Sequence, residues 1–148
     1  MYVINNFVKV LLFIWQLPQN VIGFFYFIYL KTQNKILKIE HERERCFIKS
    51  EVAVSLGYFI FWNMDYDNKV FFITEVNKDH EYGHSIQSVI LGPLYLFIVG
   101  IPSSMRTLYS RYYYQKHGVK WKRHYCGFPE NWADRLANVD STNGLRLP

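Results

Sequence analysis

The string His80-Glu81-Tyr82-Gly83-His84 sets two imidazoles and a carboxylate at a spacing suited to hydrolytic chemistry. In a helix, residues i and i+4 share a face. Both imidazoles can therefore reach one Zn²⁺, with Glu81 beside a metal-activated water as general base. The plain alternative is a surface helix with two solvated histidines. Gly83 weighs against it, because a glycine weakens a helix and needs a packing reason such as the close approach of another segment. A catalytic zinc also wants a third protein ligand and an open position for water. Glu130-Asn131-Trp132-Ala133-Asp134 offers one in matching form. On a helix Glu130 and Asp134 share a face, so Glu130 completes a His₂Glu set while Asp134 accepts the other ring N–H of a ligand histidine. Two i, i+4 patterns of complementary chemistry are harder to obtain by chance than one.

H-E-x-x-H followed by E-x-x-x-D, with Ala133-Asp134-Arg135-Leu136-Ala137 around the aspartate, resembles the gluzincin metallopeptidases. The nearest resemblance is to the CAAX prenyl protease type and its minimal soluble relatives, the minigluzincins. It implies His80 and His84 as zinc ligands, Glu81 as general base, Glu130 as third ligand and Asp134 as the residue behind a ligand. A longer resemblance, to an uncharacterised family of small bacterial proteins, runs through Trp15-Gln16-Leu17-Pro18-Gln19-Asn20, His80 to Ser88, Leu91 to Leu96, Gly100 to Ser103 and Glu130 to Val139. Pro129 stands where that family usually has Thr, and Ala137-Asn138 replaces Gly-Gly. Neither departure touches a proposed ligand. The peptidase resemblance also implies an edge strand on which a peptide substrate adds, met by Val52–Trp62 or Val70–Val76. Gluzincins generally use a Tyr or His to stabilise the oxyanion. No His or Tyr follows Glu130, which leaves His124, Tyr125 or a tyrosine among Tyr112, Tyr113 and Tyr114.

The elements that must position these groups follow from composition and patterning. The chain has 148 residues, half of them hydrophobic and 19% aromatic, enough for one compact domain and unlike a disordered chain. Two cysteines, Cys46 and Cys126, exclude a disulfide scaffold and read as free thiols, a Cys126 contact to zinc being a minor alternative. The expected class is α+β: a small zincin-like domain over residues 31–148, with a short β-hairpin or sheet and an active-site helix, preceded by an apolar helix over residues 1–30. Phe7–Leu30 is long enough to cross a hydrocarbon core of roughly 30 Å. Asn5 just before it and Lys9, Gln16, Asn20 and Gly23 within it fall in an arc of about 60°. The segment is expected to lie in the membrane interface or to span with its stripe turned onto protein, with a buried core helix as the alternative and a break at Pro18. Residues 31–49 read as a solvated connector or short helix. Val52–Trp62 and Val70–Val76 read as two strands of a hairpin turning at Asp65–Lys69. A helix capped by Asn77 or Asp79 then carries the motif into the uncharged Val89–Ile101, and Glu130–Val139 reads as a last short helix.

The segment Val89–Ile101 is too short to span and is tied at both ends to ligands, so the basic Arg106–Arg123 stretch lies on the same side as the site. The positive-inside tendency makes that side cytoplasmic. The functional expectation is a membrane-associated zinc metallopeptidase acting on a peptide or protein substrate. The alternative is an inactive zinc-binding membrane interaction module, and an intact Glu81 favours the enzyme. The Lys/Arg and Tyr run after Met105 gives a third, weaker reading as a nucleic-acid surface, and no nucleic-acid partner is expected. Oligomeric state stays open.

Overall fold

The computed structural model describes residues 5–148; residues 1–4, which begin the expected N-terminal anchor, lie outside the described residues. The described chain is α+β. Helices α1 (Asn6–Trp15) and α2 (Leu17–Thr32) are followed by strands β1 (Lys38–Glu42), β2 (Arg45–Lys49), β3 (Val54–Leu56) and β4 (Phe59–Trp62). Helix α3 (Asn77–Leu91) carries the motif and passes through two tighter and wider turns, Gly92–Leu94 and Leu96–Gly100, into α4 (Ile101–His117). Helix α5 (Glu130–Ala137) and the small pair β5 (Val139–Asp140) and β6 (Leu145–Arg146) complete it.

Four strands form one sheet in the order β1-β2-β4-β3, parallel only between β2 and β4. Strands covered on both faces carry unbroken apolar runs rather than alternation, and Cys46-Phe47-Ile48 and Phe59–Trp62 are such runs. Cys46, Ile48 and Phe61 pack with Leu30 of α2, whereas Phe47, Ile60 and Trp62 turn to the other face, where Tyr82 of α3 lies. The sheet is thus held between α2 and α3, which fixes the motif helix over a rigid floor.

Several expectations are corrected. Residues 31–49 are no solvated connector: most of the segment is the β1–β2 hairpin, and Cys46 is buried within it. Its turn, Arg43-Glu44, has positive φ at both residues, a conformation that ordinarily calls for Asn or Gly. The strain is offset by docking onto α3, where the Arg43 guanidinium meets Asp79 at 2.8 Å and lies over the Tyr82 ring, and Arg45 donates to Ser85. The hairpin expected between 52–62 and 70–76 forms within 52–62 instead. Gly57, at φ +66°, turns β3 back on β4, and a Cβ there would lie 2.2 Å from the Asn20 amide oxygen. Residues 70–76 form no strand: a bend at 70–71, an irregular stretch and a turn at 75–76, with the Val70 and Phe71 amides donating to the Asn68 side chain. Neither Asn77 nor Asp79 caps α3. The Asn77 side chain accepts from the Asn63 amide, and Asp79 is held by Arg43 and Arg146. The helix does not run on to Ile101 because Gly92, at φ +52°, and Pro93 end it. The last helix stops at Ala137, with Val139 already in β5.

Candidate metal centre

Helix α3 presents His80 and His84 on one face, both nearly inaccessible, and α5 crosses it with Glu130 in its first turn. Glu130 Oε2 lies 3.0 Å from Nε2 of His80 and 3.0 Å from Nε2 of His84. Among the described residues these three form a group able to hold a metal ion, their ligand atoms all within 4.8 Å of one another. The close crossing depends on Gly83. A Cβ at that position would meet the Ala133 carbonyl oxygen at 2.1 Å, and that backbone belongs to the turn between Glu130 and Asp134. Gly83→Ala is therefore expected to force α5 away, at about 1–3 kcal/mol or more for overpacking against rigid backbone. A thermal-unfolding midpoint lowered by roughly 3–10 °C, with metal content lost, is the expected readout.

The outer nitrogens of both rings are also occupied. His80 Nδ1 is 2.6 Å from Asp134 Oδ1 and 3.1 Å from Ser141 Oγ, and Ser141 holds Asp134 in turn through its hydroxyl and its amide. His84 Nδ1 is 2.7 Å from Gln87 Oε1, and the Gln87 amide donates to the Pro129 carbonyl. Both Nδ1 atoms thus face protein and both Nε2 atoms face Glu130, the arrangement that orients imidazoles toward a shared ion. The sequence reading has Asp134 in this role and misses Gln87 and Ser141. Gln87 follows His84 by three positions, so helical spacing could have found it, whereas Ser141 arrives through the turn after α5. Asp134→Ala and Ser141→Ala are each expected to weaken metal binding, the first by about ten- to a hundredfold and the second by less. Competition with a zinc chelator measures both.

Burial opposes charge on His80, but hydrogen bonds to Asp134 and Glu130 outweigh it and hold the ring pKa up at about 10. His84 is also raised, against its burial, chiefly by the Glu130 charge. The Glu130 carboxyl is driven well below its usual range despite burial, by the His84 charge and by hydrogen bonds from both rings. Without metal, this is a dense buried set of ionisable groups. Glu130 Oε1 and Glu81 Oε2 are buried with no hydrogen-bond partner among the described residues. Orphaned buried carboxylate oxygens are costly, and beside two converging Nε2 atoms they fit a cation. Two imidazoles with a carboxylate are an ordinary donor set for zinc. Glu81 is 6% exposed, and burial, the leading cause, raises its carboxyl pKa.

The structure brings two of the residues suggested for the oxyanion near the cluster, both committed elsewhere. The Tyr125 ring packs edge-on to His80 at 5.1 Å, and its hydroxyl donates to the Phe72 carbonyl. His124 Nδ1 pairs with Ser110 Oγ, and burial pulls its pKa down to about 4. Tyr112, Tyr113 and Tyr114 lie on α4, where Tyr113 packs on His117. Cys126 is exposed and outside the cluster. Buried Tyr95 donates to the Ser55 carbonyl of β3, tying the end of the motif segment to the edge of the sheet. No family model, no curated protein and no solved structure matches this chain, so the gluzincin resemblance rests on the motif residues alone.

Proposed function

We propose that the chain is a zinc metallopeptidase working at a membrane surface, with the site on the cytoplasmic side. The observation that carries the reading is the convergence of His80 Nε2 and His84 Nε2 on one Glu130 oxygen, with Glu81 buried and its Oε2 without a hydrogen-bond partner among the described residues. His80, His84 and Glu130 would hold the ion, which when bound acidifies water and polarises a carbonyl. Asp134, Ser141 and Gln87 orient the two rings. Glu81 takes a proton from the attacking water and returns it to the leaving amine. Its burial suits that task, because a carboxyl raised above its ordinary range gives the proton back more readily at neutral pH.

Strand β3 ends the sheet beside α3, and an extended substrate would lie along it using backbone groups other than the Ser55 carbonyl, which the Tyr95 hydroxyl already occupies. The Val70–Val76 segment, with no strand, does not serve. The test is incubation of the zinc-loaded protein with a peptide library in the presence of lipid, read by mass spectrometry. Cleavage that stops on chelation and returns with zinc is the expected result.

A further inference from the structure

The N-terminal helices are built inside out. Besides Leu30, the residues α2 buries are Gln19, Asn20 and Gly23, whereas Val21, Ile22, Phe24 and Phe25 are exposed; α1 buries none. The polar stripe does the docking. Gln16 accepts from the Ser88 hydroxyl, Gln19 donates to Ser88 and to the Gly92 carbonyl, and Asn20 accepts from the Tyr58 amide. The large side chains are left facing outward by attachments that are themselves specific and buried.

A second apolar stripe continues from the end of α3 along α4. Ile90, Leu94, Phe97, Ile101, Met105 and Leu108 follow one another at steps of four and three, and each is between 52% and 68% exposed. The two surfaces adjoin, because an open groove between α1 and the end of α3 is lined by Leu11, Trp15, Val89 and Pro93. Apolar surface of this extent marks a partner or a membrane.

Charge separates the two. The sequence has 12 Asp and Glu, and all of them fall within residues 40–81 and 130–140. The stretches that carry the apolar surfaces have Lys and Arg and no acid at all. Arg111, Lys116, Lys122 and Arg123 are exposed at the end of α4 and just beyond it. Glu44 reaches Lys9 of α1, but the α4 end of the face carries exposed cations and no acid of its own, which is complementary to an anionic lipid surface. Length decides the depth. Among the described residues no single helix is long and apolar enough to cross a membrane, and α1 and α2, which pass only as a pair, are bent by 87°.

We propose that α1, the outer face of α2 and the Ile90–Leu108 stripe seat the protein in one leaflet of an anionic bilayer without crossing it, the basic end of α4 resting on the headgroups. This deepens the membrane-surface reading above and is independent of the zinc chemistry. It sets the metal site beside the leaflet, so the substrate class is a peptide segment presented at the bilayer surface.

The test is flotation of the full chain with phosphatidylcholine vesicles, with and without phosphatidylglycerol, zinc content being measured on the same samples. Binding is expected to be stronger with phosphatidylglycerol and to weaken in salt. Phe97→Asp with Met105→Asp, both on the exposed face, is expected to cut binding about a hundredfold or more while zinc content holds. Lys116→Ala with Lys122→Ala is expected to cut it roughly thirtyfold. In a Cys126→Ser background, Asn5→Cys on vesicle-bound protein is expected to react with an impermeant maleimide added outside. Labelling only after lysis overturns the single-leaflet seat. A zinc-loaded chain that stays off all vesicles, as a monomer or as a dimer covering this face, overturns lipid as the occupant and leaves the metal site standing.

Discussion

Alanine in place of Glu130 is expected to leave the purified protein without stoichiometric zinc, and the wild type is expected to hold one ion. Structural zinc sites are worth about 10–16 kcal/mol over four ligands, or roughly 3 kcal/mol each, so losing one weakens binding by a hundredfold or more. Among the described residues Glu130 is the member of the cluster that α5 contributes, its Oε2 standing 3.0 Å from His80 Nε2 and 3.0 Å from His84 Nε2. His84→Ala should act alike. Metal analysis of wild type, Glu130→Ala and His84→Ala after dialysis against trace zinc decides the matter. No zinc in the wild type, or zinc undiminished in Glu130→Ala, would sink the assignment of the centre.

Glu81→Gln should separate the chemistry from the metal. The change keeps shape and volume at a position that is 6% exposed, and it removes only the capacity to accept and return a proton. Zinc content should stay near that of wild type. Hydrolysis should fall by roughly a hundredfold or more, the usual scale for a lost general base. Both proteins are compared at equal zinc occupancy on the same peptide library, so weaker loading cannot imitate lost catalysis. Equal cleavage by the two would remove Glu81 from the mechanism. No cleavage by either, across broad libraries and lipid conditions, would favour a zinc-binding interaction module over the enzyme.

The Cys46 strand and the 70–76 segment show how legibility failed in opposite directions. Arg43-Glu44 turns β1 into β2 without any of the usual turn residues, and the turn persists because Asp79, Tyr82 and Ser85 of α3 hold its arginines. No local rule could find a hairpin whose turn is stabilised from a distance. Val70–Val76 has β-branched and aromatic residues yet no strand partner, since β3 and β4 already pair through Gly57. Propensity states what fits a sheet and is silent on whether an edge is available.

The N-terminal segment was half legible. Its polar stripe is a periodicity and could be counted along the chain, as could the break near Pro18. Whether that stripe met protein or water depended on Ser88, Gly92 and Tyr58, far along the sequence.

What the sequence by itself determined is which groups share a helix face: His80 with His84, and Glu130 with Asp134. Each pair is set by the helical repeat, a local property that survives in any fold keeping those two helices. Only the tertiary structure decided that the pairs meet. The crossing of α3 and α5 depends on the missing Cβ of Gly83 against the Ala133 backbone, and Ser141 reaches Asp134 only after the chain has turned beyond α5. Contacts of this kind join residues far apart in the chain, and their free energy arises only when the whole core closes around them.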